Sequence, residues 1–228
     1  MQIGILECGR LPDEMSATLG QYPPMFERLL AGHGFRFRSW HVEGMDFPDS
    51  VTAADGWLIT GSRHGAYEDH AFIPPLEAFI RDAFAAHVPV VGICFGHQIM
   101  AQALGGRVEK FAGGWAVGAQ DYDFDTGPIR LNAWHQDQVV TPPETAQTVA
   151  RNAFCAHAGL LYPGQGFSVQ AHPEFPDSVV QGLIDHRGPG IVPDPLLKAA
   201  QSGLGRADSQ PVAQRIASFF RHNAQVRA

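Results

Sequence analysis

The stretch from Val88 to Gly106, VPVVGICFGHQIMAQALGG, constrains this chain more than any other. Residues 88–94 are an apolar, β-branched run with the character of a buried strand. Residues 97–104 have helical character and are closed by Gly105-Gly106. Only two residues separate the two. An entirely apolar strand has to be covered on both faces, and a strand that passes directly into a helix is the repeating unit of a parallel sheet flanked by helices.

The rest of the first half repeats this alternation. Residues 2–8, 35–41 and 56–60 read as strands. Residues 24–33 and 74–87 read as helices, the second starting on Pro74-Pro75. Residues 107–170 change character: short runs such as 114–125 and 166–172 lie between Gly and Pro turns, as in a small antiparallel layer. From Pro176 onward the pattern is helical, near 177–187, 193–203 and 209–223. The expected fold is α/β, a doubly wound, mostly parallel sheet of flavodoxin type with that antiparallel layer and C-terminal helices.

The chain has 228 residues, enough for one sizeable core. Its formal net charge of −7, with no cluster of basic residues, argues against nucleic acid or an anionic membrane as partner. No stretch approaches the ~20 apolar residues of a membrane span. MQIGILECGR has no basic region ahead of its short apolar run, so no secretory signal is expected. Cys8, Cys94 and Cys155 are widely spaced and share no paired motif, the usage of a reducing compartment. A cytoplasmic protein is the resulting expectation.

Cys94 sits in Gly92-Ile-Cys94-Phe-Gly96, at the junction of strand and helix. A nucleophile on so sharp a turn needs small neighbours at ±2, the logic of the G-x-S-x-G elbow with sulfur in place of oxygen. The helix N-terminus favours the thiolate, and the N–H of Phe95 points to where an oxyanion would form. Cys8 and Cys155 have no such setting and read as buried filler.

A thiol nucleophile needs a base, and the base needs an orienting group. Residues 166–174, GFSVQAHPE, offer both. On an extended segment His172 and Glu174 share a face, with Pro173 stiffening the link. His97, beside the elbow, has no orienting carboxylate nearby and reads as a first-turn helix residue.

Together these motifs resemble the class-I glutamine amidotransferase family, which carries a catalytic Cys in G-x-C-x-G-x-Q and a later H-P-E. Here they are Gly92-Ile-Cys94-Phe-Gly-His-Gln98 and His172-Pro-Glu174. Leu58-Ile-Thr-Gly61-Ser62 matches the family's glycine-bearing turn, which implies a second oxyanion N–H from Gly61 or Ser62. By the same resemblance Gln98 helps to hold the substrate, and Trp134-His135 begins the stretch lining the glutamyl pocket. The resemblance implies a catalytic domain over residues 1–175, with 176–228 as a helical extension of that domain. Free-standing members, the γ-glutamyl peptidases and single-domain GMP-synthase-like proteins, are the most similar, through ITGSRHGAYED, GICFGHQIMAQALGG and GGWAVG.

The implied enzyme is a Cys-His-Glu hydrolase of the γ-glutamyl amide bond of glutamine or another small γ-glutamyl compound. The alternatives are a glutaminase subunit that supplies ammonia to a separate synthetase partner, and a non-catalytic binding member. No cofactor is implied. Tyr67, Glu68 and Asp69 are candidates for the substrate's ammonium group. His64 and His70, with five residues between them on a loop, offer no ligand geometry by spacing alone, and no metal is expected.

Overall fold

The computed structural model describes residues 1–227. Strands β1 (Gln2–Leu6), β2 (Arg36–Trp40), β3 (Gly56–Ile59) and β4 (Val90–Ile93) run parallel to one another. They form the first part of a nine-stranded sheet, in the order β2-β1-β3-β4. The late strand β11 (Gly166–Val169) joins beside β4, also parallel. Beyond it lie β10 (Gly159–Tyr162), β9 (Gln147–Arg151), β6 (Ala116–Phe124) and β7 (Gly127–His135), each antiparallel to its neighbour. A second, two-stranded antiparallel sheet pairs β5 (Arg107–Lys110) with β8 (Asp137–Thr141). The expected α/β architecture is therefore present, with most of the antiparallel strands joined edge-on to the parallel ones.

Alternate residues of the buried strands feed two cores, because side chains of a strand point to opposite faces. Ile3, Ile5, Leu58, Val91 and Ile93 lie in one cluster; Leu6, Trp57, Ile59 and Val90 lie in the other. Helices α3 (Ile73–Ala85) and α4 (Phe95–Ala103) cover the second face. The first is covered by α2 (Tyr22–Leu29), α5 (Asp177–His186) and α7 (Gln210–Arg227), through Phe26, Val180 and Phe220 among others. Residues from beyond position 176 thus pack into the same cluster as β1. The helix α6 (Asp194–Ser202) lies against β6, its Ala200 packed on Val117.

The structure differs from the pattern reading in detail. The helix expected at 24–33 spans Tyr22–Leu29, because Pro23 and Pro24 fit its first turn, where no N–H is needed. A further short helix, α1 (Asp13–Leu19), buries only Met15, too few apolar contacts to leave a periodic signal. Among the described residues no helix is long and apolar enough to cross a membrane.

In this strand order β2 and β3 flank β1 on opposite sides, and the carboxyl ends of the parallel strands β1, β3, β4 and β11 lie along one edge. That edge is where open α/β sheets bind their ligands.

Candidate active site

Cys94 follows β4 directly and caps α4, with φ 54° and ψ −104°. Positive φ is strained for a residue with a side chain, and the surroundings hold it there. The Cys94 N–H donates to Val169 O at 2.9 Å, and Gly96 N–H donates to Thr60 O at 3.1 Å. The glycines at ±2 are a steric requirement. A Cβ on Gly92 would lie 2.4 Å from Gly96 O, and one on Gly96 would lie 2.3 Å from Ile59 O. Strand, turn and helix are therefore pressed together at backbone distance, which thrusts the thiol off the sheet edge.

His172 and Glu174 are both buried, and His172 Nδ1 lies 2.7 Å from Glu174 Oε1. Their approach does not come from an extended segment, as the sequence pattern suggested. The strand ends at Val169, and His172-Pro-Glu-Phe175 is a turn in which Phe175 N–H donates to His172 O at 3.4 Å. Proline, with its fixed φ, suits the second position of such a turn. The turn folds Phe175 flat on the imidazole, with ring centroids 3.9 Å apart and planes 4° from parallel. The strand partner on the other side is Asn132, whose O accepts from His172 N–H at 2.8 Å.

Burial on its own would disfavour the imidazolium. The neighbouring negative charges of Cys94 and Glu174, and the hydrogen bond to Glu174, outweigh it and raise the His172 pKa to about 10. The other buried histidines behave oppositely. His97 and His135 are each pushed down to about 3, chiefly by burial, and stay neutral. His97 turns away from the thiol, with Nδ1 2.8 Å from Ser168 Oγ.

Gly61 faces this pair: a Cβ there would lie 2.9 Å from His172 Cε1. The Thr60 hydroxyl fixes the Gly61–Ser62 peptide, accepting from Cys8 N–H at 3.0 Å and donating to Gly61 O at 2.9 Å. Among the described residues the N–H groups of Gly61, Ser62 and Phe95 have no backbone acceptor. The Phe95 ring itself is core.

Cys94 opens into a cavity of about 210 Å³ that Ser62, Gln98, Trp134 and His135 also line. His172 opens into an adjoining cavity of about 60 Å³, walled by Tyr22, Phe175 and Trp134. Gln98 reaches the site, but its Nε2 is engaged with Asp137 O at 2.9 Å and Gln170 Oε1 at 3.1 Å. Tyr67 and Glu68 line the larger cavity, whereas Asp69 does not.

Two residues of this site escaped the sequence reading. Gln170 donates from Nε2 toward Cys94 Sγ at 3.7 Å, and Tyr22 packs beside Gly61 and stacks on Phe175. Gln170 lies two positions before His172 and had a local signal, a polar residue closing an apolar strand. Tyr22 had none, because it arrives from a distant helix. Cys8 and Cys155 are buried, and burial drives both thiols up, Cys155 to about 12.

A thiol, an oriented imidazole base and unpaired N–H groups around two adjoining cavities can perform acyl transfer. The family model described as "Glutamine amidotransferase class-I" matches residues 35–181. A glutamine amidotransferase-like protein of Schizosaccharomyces pombe is 28% identical over 204 residues, 80% of this chain and 82% of its own. Gamma-glutamyl peptidase 4 of Arabidopsis thaliana is 29% identical over 184 residues, covering 74% of this chain and 73% of that one. The solved structure of a glutamine amido transferase from Methylobacillus flagellatus superposes with a TM-score of 0.76 at 22% identity. It covers 98% of this chain and 93% of that one, a likeness of fold.

Proposed function

The chain belongs to the class-I glutamine amidotransferase family, and on that premise we propose that it hydrolyses the γ-glutamyl amide bond of a small γ-glutamyl compound, glutamine included, without a partner protein. The observation that carries this reading is the strained elbow of Cys94 set against the buried His172–Glu174 pair.

In this mechanism the Cys94 thiolate attacks the γ-carbonyl carbon. The N–H groups of Phe95 and of Gly61 or Ser62 stabilise the resulting oxyanion, a contribution of about 100–1,000-fold per donor in comparable enzymes. His172 gives its proton to the departing amine or ammonia, leaving a γ-glutamyl thioester on Cys94. The neutral imidazole then takes a proton from water as it attacks the thioester, and glutamate leaves. Glu174 holds the ring and its charge in place. Gln98, Trp134 and His135 shape the glutamyl side of the cavity, and no cofactor takes part. Residues 176–228 belong to the catalytic domain in this reading, since Val179, Val180, Ile216 and Phe220 share a core cluster with β1.

The test is a panel of glutamine, γ-glutamyl amines, glutathione and glutathione conjugates, with released glutamate and amine measured and Cys94→Ala as control. Turnover by the native protein alone supports the reading and names the leaving group. Silence across the panel, with Cys94 still rapidly alkylated, would overturn self-sufficiency and favour a glutaminase subunit that supplies ammonia to a separate synthetase.

A further inference from the structure

The loop between β3 and α3 folds on itself in successive tight turns. Glu68 N–H donates to Gly65 O at 3.0 Å, His70 N–H to Glu68 O at 3.1 Å and Ile73 N–H to His70 O at 3.0 Å. The turns gather His64, Glu68 and His70, which spacing alone did not bring together. One nitrogen of each histidine and one carboxylate oxygen all lie within 4.8 Å of one another. The imidazole centroids are 4.0 Å apart.

The hydrogen bonding of His64 adds an independent observation. Its Nε2 lies 2.8 Å from Glu43 Oε1, a carboxylate that comes from outside the loop and is also approached by Arg63 and His41. An ionised carboxylate only accepts, so Nε2 carries the proton. In the neutral ring Nδ1 is then a lone pair, and it faces Glu68 Oε2 at 3.8 Å. That oxygen already accepts from His70 Nε2 at 2.8 Å. A cation held between His64 Nδ1 and Glu68 Oε2 would satisfy both, and in displacing the His70 Nε2–H bond it would release that proton to solvent and leave His70 as the third donor.

We propose that His64, Glu68 and His70 form a binding site for a divalent zinc-class ion, with Glu43 orienting His64. Two imidazoles and a carboxylate are a recurrent zinc donor set, leaving a fourth position for water. A histidine whose second nitrogen is held by a carboxylate is the usual outer arrangement of such sites. The His64 side chain is 14% exposed and that of Glu68 44%, so the ion is anchored from within and reached from solvent. His64 and Glu68 also line the larger cavity with Cys94, which places the ion in its wall. This inference stands apart from the proposed hydrolysis.

The test is calorimetric titration of the full chain with Zn²⁺, together with the visible spectrum of bound Co²⁺, in the Cys94→Ser background. That background removes the thiol that lines the cavity, and neither Cys8 nor Cys155 lines it. One ion per chain is expected. His70→Ala and His64→Ala, with native circular dichroism, should each weaken binding by about tenfold or more, and Glu43→Gln by about 10–100-fold. No saturable binding, or binding unchanged in well-folded His70→Ala, would overturn the site. The more exposed His70 keeps the test valid if His64→Ala fails to fold.

Discussion

The imidazole of His172 is held between two partners at once: Glu174 Oε1 lies 2.7 Å from its Nδ1, and the ring of Phe175 lies flat on its face at 3.9 Å. Both contacts come from a single turn of chain, so the ring has little freedom to tilt or to exchange its hydrogen-bond partner. The proton on Nδ1 is thereby committed to Glu174, which leaves Nε2 for the proposed chemistry.

The charge on Glu174 has a consequence in the pH dependence. The folded His172 pKa of about 10 lies above the ordinary imidazole value of 6.5. The stabilisation tied to this proton is therefore fully present below about pH 6.5 and is lost as pH rises through about 10. Glu174→Gln keeps the shape and removes one of the charges that sustain the imidazolium. Its alkaline limb of kcat/KM should move to lower pH. The stability gap between native protein and variant should narrow between neutral pH and pH 10, as followed by thermal unfolding. Identical alkaline limbs would contradict the role given to Glu174.

The elbow predicts a separation of stability from function. At φ 54° glycine is at ease and alanine is not. Cys94→Ala and Cys94→Gly both remove the proposed nucleophile, so both should lose turnover completely. The glycine variant should nevertheless be the more stable of the two by about 1 kcal/mol, because alanine keeps a Cβ in a region forbidden to it. Chemical denaturation of the two variants measures the difference, and equal stabilities would mean that the turn relaxes around alanine.

Legibility in the sequence followed the range of the interactions. The βα unit at Cys94 was readable because its constraints are local: an apolar run, glycines at ±2 and a helix within two residues. The steric reason for those glycines lies partly elsewhere, since the carbonyl that excludes a side chain at Gly96 belongs to Ile59, on another strand. The pairing of His172 with Glu174 was readable as a juxtaposition but not as a geometry, since a turn and a strand can both bring i and i+2 together. The edge-on joining of the antiparallel strands was not legible, because pairing partners such as Asp123 and Arg151 are set by tertiary packing. The same holds for Tyr22 and for the gathering of His64 with His70.

Gln170 is expected to act on the thiolate. Its Nε2 is 3.7 Å from Cys94 Sγ, and its Oε1 accepts from Gln98. Gln170→Leu fills the same space without the donor. Iodoacetamide alkylation of Cys94 at neutral pH should slow by about fivefold, the equivalent of one hydrogen bond of about 1 kcal/mol. Gln98 keeps its bond to Asp137 O, so the fold should survive. An unchanged alkylation rate would make the contact incidental.

Thr60 tests whether the Gly61–Ser62 peptide acts through its position. The Thr60 hydroxyl is fully buried and does two things: it accepts from Cys8 N–H at 3.0 Å and donates to Gly61 O at 2.9 Å. Thr60→Val preserves the branched shape, leaves a buried N–H without an acceptor and frees the Gly61 carbonyl. Stability should fall by about 1–3 kcal/mol, the cost of an unsatisfied buried donor. The freed carbonyl shares its peptide plane with the Ser62 N–H, so if Ser62 presents the oxyanion donor, a loosened peptide weakens the transition state more than the ground state. kcat should then fall by about tenfold or more with KM little changed, since only interactions stronger in the transition state affect the chemical step. A rise in KM at constant kcat would instead assign this turn to substrate binding. Unchanged kinetics alongside the stability loss would confine Thr60 to holding β3 against the segment after β1.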